Sequence, residues 1–268
     1  MNNSKKPLIY IQTGIMMKQI FLLCLSGLLL AQCASRQKLI TAPALIQPDT
    51  LRYVDESRKR EIPVAIYQPA DKKQANNIPV IFNHGYGANQ GGDYLLYSYL
   101  AEFLAAKGYF VISIQHELPT DELLPTTGNI RETRMPNWQR GAENINYVLG
   151  KIKATYPALH YNQLALIGHS NGGDMAALFT HQHPDLVHKL ITLDNRRMEL
   201  PRTTKPQVFS LRSNDYPADE HVLPDEAEMK QYNMTIRFTN INHSHMDNDA
   251  SEEERKYITG NILSYLKK

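Results

Sequence analysis

From residue 51 onward, short apolar runs alternate with segments whose apolar residues recur every three to four positions. Leu51–Val54 and Ile62–Tyr67 flank a charged turn at 55–61, which predicts an antiparallel hairpin closed by Pro69. Ile78–Phe82, Tyr109–Ile114, Leu164–Ile167, Leu190–Leu193, Gln207–Leu211 and Thr235–Thr239 bring the predicted strands to eight. Several are apolar on both faces, as parallel strands buried under helices must be. Helical spacing covers Asp93–Lys107, stopped by Gly108, and Trp138–Ile152. It returns in Gly172–His183, stopped by Pro184, and in Ser251–Leu266, where Ser251 and Glu254 form a capping-box pattern. The segment 117–137, rich in Pro and Thr, is predicted to be irregular. Strands alternating with helices predict an α/β fold, a mostly parallel eight-stranded sheet with helices on both faces. Only 13 residues, Asp194 to Pro206, separate two consecutive strands, so no large lid domain is expected.

One long apolar stretch lies outside this pattern, Ile20–Ala31, and twelve residues are too few to cross about 30 Å of hydrocarbon as a helix. Lys18 precedes it and Leu30-Ala31-Gln32-Cys33 follows, which together read as an export signal over 1–33. Translation from Met16 or Met17 would suit that signal better. The end of the stretch is similar to a bacterial lipoprotein signal, which implies membrane attachment through a lipidated Cys33 and a periplasmic, cell-surface or secreted location. Residues 34–49 are expected to be a linker and 50–268 a single catalytic domain. The formal charge of +2 comes from the leader, which holds Lys5, Lys6 and Lys18 and no acid; 26 basic and 27 acidic residues remain. With no basic stripe, nucleic acid is not an expected partner. Both cysteines, Cys24 and Cys33, also lie in the leader, so a nucleophile in the body must be oxygen or nitrogen.

The strongest chemical signal is Gly168-His169-Ser170-Asn171-Gly172-Gly173, between a predicted strand and a predicted helix. The pattern Gly-x-Ser-x-Gly is expected about 0.03 times by chance in a chain of this composition, so an ordinary glycine turn is a poor explanation. A tight strand-to-helix turn would expose the Ser170 hydroxyl above the sheet, and glycines two residues to either side would relieve the crowding. With Asn83-His84-Gly85-Tyr86-Gly87 after an earlier strand, these residues resemble the α/β-hydrolase superfamily. The hairpin Arg52-Tyr53-Val54-Asp55, Arg58 to Val64 and Tyr67-Gln68-Pro69 is similar to the platelet-activating-factor acetylhydrolase and polyester-hydrolase branch.

The resemblance implies that Ser170 is the nucleophile and that the backbone N–H groups of Tyr86 and Asn171 form an oxyanion hole. It implies a histidine after the last strand, where His243 and His245 compete and His243, nearer the strand end, is preferred. For the acid it points to Asp215, with Asp219 and Asp194 as rivals. His84 is expected to tie its loop down rather than to react. His243-x-His245-x-Asp247 also has the look of a zinc motif, but no histidine follows and only 19 residues remain after Asp249, so no metal and no cofactor are expected. The expected activity is hydrolysis of small-molecule or polymeric carboxylic esters through an acyl-enzyme. A thioesterase or peptidase with the same triad, and a non-catalytic exported binding protein, are the alternatives.

Overall fold

The computed structural model describes residues 46–268. The expected leader, both cysteines and most of the linker lie outside these residues. Eight strands form one sheet in the order β1-β2-β4-β3-β5-β6-β7-β8. They are β1 (Asp49–Asp55), β2 (Arg60–Tyr67), β3 (Pro79–Asn83), β4 (Phe110–Ile114), β5 (Ala165–His169), β6 (Lys189–Leu193), β7 (Gln207–Arg212) and β8 (Thr235–Phe238). The β1–β2 hairpin is antiparallel, β2 pairs antiparallel with β4, and the remaining pairs are parallel. This is the mostly parallel architecture anticipated from the alternating pattern.

The period of two along the strands builds two cores. Ile81 on β3, Ile112 on β4 and Leu166 on β5 face one side, where Trp138, Ile145 and Leu149 of α2 (Ile130–Thr155) and Phe179 of α3 (Ser170–Gln182) cover them. Val80, Phe82 and Ile167 face the other side, under Leu100 and Leu104 of α1 (Ser98–Ala106) and Ile258 and Ile262 of α5 (Glu252–Leu266). Nearly all of these side chains are fully buried, each stabilising the fold by about 1.5–3 kcal/mol before entropy is counted. Lys189, also buried, ties the end of α5 to β6: its Nζ donates to the Tyr265 and Leu266 carbonyls at 3.0 and 2.9 Å.

Three elements depart from expectation. The helix expected over 93–107 is broken into a single 3-10 turn at Asp93–Leu95 and α1, because the C-terminal loop is docked in the gap. There the Asn248 backbone N–H donates to the Leu96 carbonyl at 2.7 Å and its side-chain amide to the Leu95 carbonyl at 3.2 Å. Second, α2 starts eight residues before Trp138 and carries Pro136 inside it. Third, a short helix α4 (Glu226–Tyr232) lies where none was anticipated, opened by a capping box between Asp225 and Glu228.

Candidate active site

The site grows out of strand register at the carboxyl edge of the sheet, where open α/β sheets bind ligands. In the β5–β6 pair His169 faces Leu193, and in the β6–β7 pair Leu193 faces Leu211. The residues that follow, Ser170, Asp194 and Arg212, therefore emerge side by side. Ser170 has φ 50° and Asp194 φ 59°, both in the left-handed region that non-glycine residues seldom occupy. At Ser170 the turn is enforced by close approach. A Cβ on Gly168 would lie 2.4 Å from the Gly172 carbonyl oxygen, and one on Gly172 would lie 2.3 Å from that of His84.

His243 opens a 3-10 turn, His243–His245, just past β8. Its Nε2 lies 3.1 Å from Ser170 Oγ and its Nδ1 lies 2.5 Å from Asp194 Oδ2. The proton therefore sits on Nδ1, donated to the carboxylate, and Nε2 accepts from the serine hydroxyl. Asp194 is wholly buried and well satisfied. Ser213 donates to it through N–H (3.0 Å) and Oγ–H (2.6 Å), and Arg212 Nη2 stands 3.1 Å away. Burial alone would raise its pKa, but the bond to His243, the Arg212 charge and the Ser213 donors together hold it below the ordinary value.

Asp215, the expected acid, does not contact the imidazole. Its exposed carboxylate accepts the His243 backbone N–H at 2.9 Å, so it fixes the loop rather than the ring. The physical reason is distance along the chain: Asp215 lies three residues beyond β7, whereas Asp194 leaves β6 directly against Arg212. Asp219 pairs with Arg197 at 3.1 Å, and His245 turns away to Glu254 at 3.2 Å.

Tyr86 and Asn171 line the same pocket as Ser170 and His243, a recess of about 240 Å³. Both are held by their side chains. The Tyr86 hydroxyl accepts the Leu124 N–H at 3.1 Å. Asn171 donates through Nδ2 to Glu117 Oε1 at 2.9 Å and accepts from Trp138 Nε1 at 2.8 Å. Beneath this network His84 accepts the His116 N–H at Nε2 (2.9 Å) and donates from Nδ1 to the Gly85 carbonyl (2.7 Å), a bracing geometry. Burial raises the pKa of Glu117 and lowers that of His116.

Several participants escaped sequence reasoning. His169, buried behind His243 with ring centroids 4.6 Å apart, accepts the Tyr97 hydroxyl at Nδ1 over 2.6 Å, and Tyr97 in turn accepts the Gly85 N–H at 3.1 Å. Burial, with the neighbouring His243, drives its pKa to about 3, so it remains neutral. Tyr216 also packs on His243, with ring centroids 4.2 Å apart. Asp174, the next residue after the double glycine, is fully buried. Its Oδ1 accepts the backbone N–H groups of Arg196, Arg197 and Met198 at 3.2, 2.9 and 2.9 Å. Its place one turn into the helix after Ser170 was the available signal.

No protein-family model matches the chain. Over 114 residues it is 32% identical to a serine hydrolase-like protein of Mus musculus, a match covering 40% of this chain and 35% of that protein. The chain thus spans about a third of the length of that curated relative. Among solved structures it is similar to a thermostable esterase (16% identity, TM-score 0.60), with 83% of this chain and 63% of that one covered. It is also similar to an α/β serine hydrolase without a lid from Xanthomonas campestris (13% identity, TM-score 0.54; 81% and 93% covered). Sheet order, crossovers and the strained serine turn together define the α/β-hydrolase fold, and this chain has it.

Proposed function

We propose that the chain is a serine hydrolase of carboxylic esters, with Ser170, His243 and Asp194 as its triad. The observation that carries this reading is the unbroken line of hydrogen bonds from Ser170 Oγ through the imidazole to Asp194. His243 Nε2 takes the Ser170 proton as Oγ bonds to the ester carbonyl carbon. The carbonyl oxygen becomes an oxyanion, held by the N–H groups of Tyr86 and Asn171 at the head of α3, where the helix dipole adds to them. Asp194 keeps the imidazole in the required tautomer and stabilises its cation. The cation then protonates the leaving alkoxide as the C–O bond breaks. Water, deprotonated by His243, attacks the acyl-enzyme and returns Ser170 to its hydroxyl.

A fluorophosphonate probe and a series of p-nitrophenyl esters test the reading. Labelling and turnover are expected in the wild type, with turnover falling by about a thousandfold or more in Ser170→Ala and labelling retained in Ser244→Ala. Folded wild-type protein that neither labels nor turns over would instead be the non-catalytic binding protein. We further propose export, with lipid attached to Cys33; metabolic labelling with a radioactive fatty acid should mark the wild type and not Cys33→Ser.

A further inference from the structure

Three arginines reach the recess that holds Ser170, although nothing in ester hydrolysis requires a cation there. Arg134 comes from the first turns of α2, and Arg196 and Arg197 from the loop after β6. The loop is not casual, since the buried Asp174 gathers the N–H groups of both its arginines. Arg196 stands over the Tyr216 ring, with Cζ 3.8 Å from its centroid, and Tyr216 packs on His243, so this guanidinium is held at the edge of the proposed triad.

Compensation of these charges is incomplete. Asp219 sits 3.1 Å from Arg197 and 3.9 Å from Arg196, but it is exposed, where screening weakens such pairs. Arg134 is half-buried and its Nε donates to the Pro125 carbonyl at 2.9 Å. It makes no salt bridge among the described residues. Burial, then repulsion from Arg197, lowers its pKa, with Asp174 only partly opposing. A half-buried guanidinium repelled by a neighbouring one is costly unless something anionic joins it. A recess of about 240 Å³ falls below the usual range for drug-sized ligands, so that anion must be compact.

We propose that Arg134, Arg196 and Arg197 form an anion pocket beside Ser170, and that the esters hydrolysed carry a carboxylate or phosphate, on the acyl or the alcohol side, within reach of these arginines. The substrate assignment rests on the serine-hydrolase reading above. The charged group neutralises Arg134 and Arg197 and places the carbonyl over Ser170, while Asp174 acts as a positioning residue for the loop.

The experiment compares esters that differ only in charge. Mono-4-nitrophenyl adipate is set against 4-nitrophenyl methyl adipate for the acyl side, and 4-acetoxybenzoate against its methyl ester for the alcohol side. The wild type should favour the charged member of at least one pair by about tenfold or more in kcat/KM. That ratio should fall towards one in Arg134→Gln/Arg197→Gln, mainly through KM, and be partly kept in Arg134→Lys. Arg52→Gln, an exposed change on β1, should leave it unaltered. Inorganic phosphate and acetate as competing inhibitors distinguish the two anions. Equal use of charged and neutral esters by the wild type, or an unchanged ratio in a double variant of normal melting temperature, overturns the proposal. Calorimetry with mono-4-nitrophenyl adipate on Ser170→Ala separates it from the catalytic reading. An inactive wild type whose Ser170→Ala form binds this ester through Arg134 would sink the hydrolase and leave the anion pocket standing. Turnover without charge preference would do the reverse.

Discussion

At Asp194 one buried carboxylate meets Arg212, two donors of Ser213 and the His243 ring, and these neighbours fix which carboxylate the imidazole contacts. Asp194→Asn should keep the fold but lower kcat by about 10⁴, because the amide favours the wrong tautomer. Asp215→Asn, at a carboxylate that accepts the His243 backbone N–H rather than the ring, should cost less than about tenfold; steady-state kinetics on the pair decides between them. The strained turn at Ser170 was legible because glycine spacing reports backbone crowding directly. Which carboxylate meets the His243 ring was not, because loop carboxylates look alike until register places one beside a buried guanidinium. Arg212, ending an apolar strand, was the overlooked cue. Asp174 gives a pH signature. Its pKa is raised by burial from the ordinary 3.8 to about 6, the Met198, Arg197 and Arg196 N–H groups and Asn195 opposing. The folded state therefore binds this proton more tightly than the unfolded one. The stabilisation it confers is fully present below about pH 4 and lost as pH rises through about 6. Asp174→Asn retains an acceptor and removes that titration. In urea melts it should gain up to about 3 kcal/mol relative to wild type on going from pH 4 to pH 8. A parallel pH dependence in the two proteins would refute this.

Among the elements, strands and buried helices followed the hydrophobic pattern, and the misreadings fall where polar contacts override it. The early start of α2 was hidden by Arg131, Glu132, Thr133 and Pro136, none of which marks an apolar face. Instead Asn129 Nδ2 donates to Glu132 and the Thr133 hydroxyl to the Asn129 carbonyl, while Arg131 pairs with Glu199. These local contacts offset part of the roughly 3 kcal/mol that an interior proline costs. Ahead of this helix the segment 117–129 is irregular, as anticipated, yet firmly moored. Arg60 makes two parallel bonds to Asp121 (2.8 and 2.7 Å), and Asn89 holds the Asp121 and Glu122 carbonyls. Because Tyr86 receives the Leu124 N–H from the same segment, its order bears on the recess that holds Ser170. Arg60→Ala should make 121–128 the first site of limited proteolysis and reduce kcat several-fold, with a loss of about 1–3 kcal/mol in stability. Unchanged cleavage patterns would show that the mooring lies elsewhere.

Across the whole molecule, one sheet walls off two cores and presents Ser170 and Asp194 at the ends of two wholly buried strands. The chain contains a single tryptophan. That indole is wholly enclosed, and its nitrogen donates to the side chain of Asn171, the residue adjoining Ser170. The protein thus carries an intrinsic optical gauge at the one spot where it is most useful. Intensity or wavelength changes on ester or inhibitor addition, followed in stopped flow, would time the proposed acylation without any attached dye, with no second emitter of its kind to blur the record.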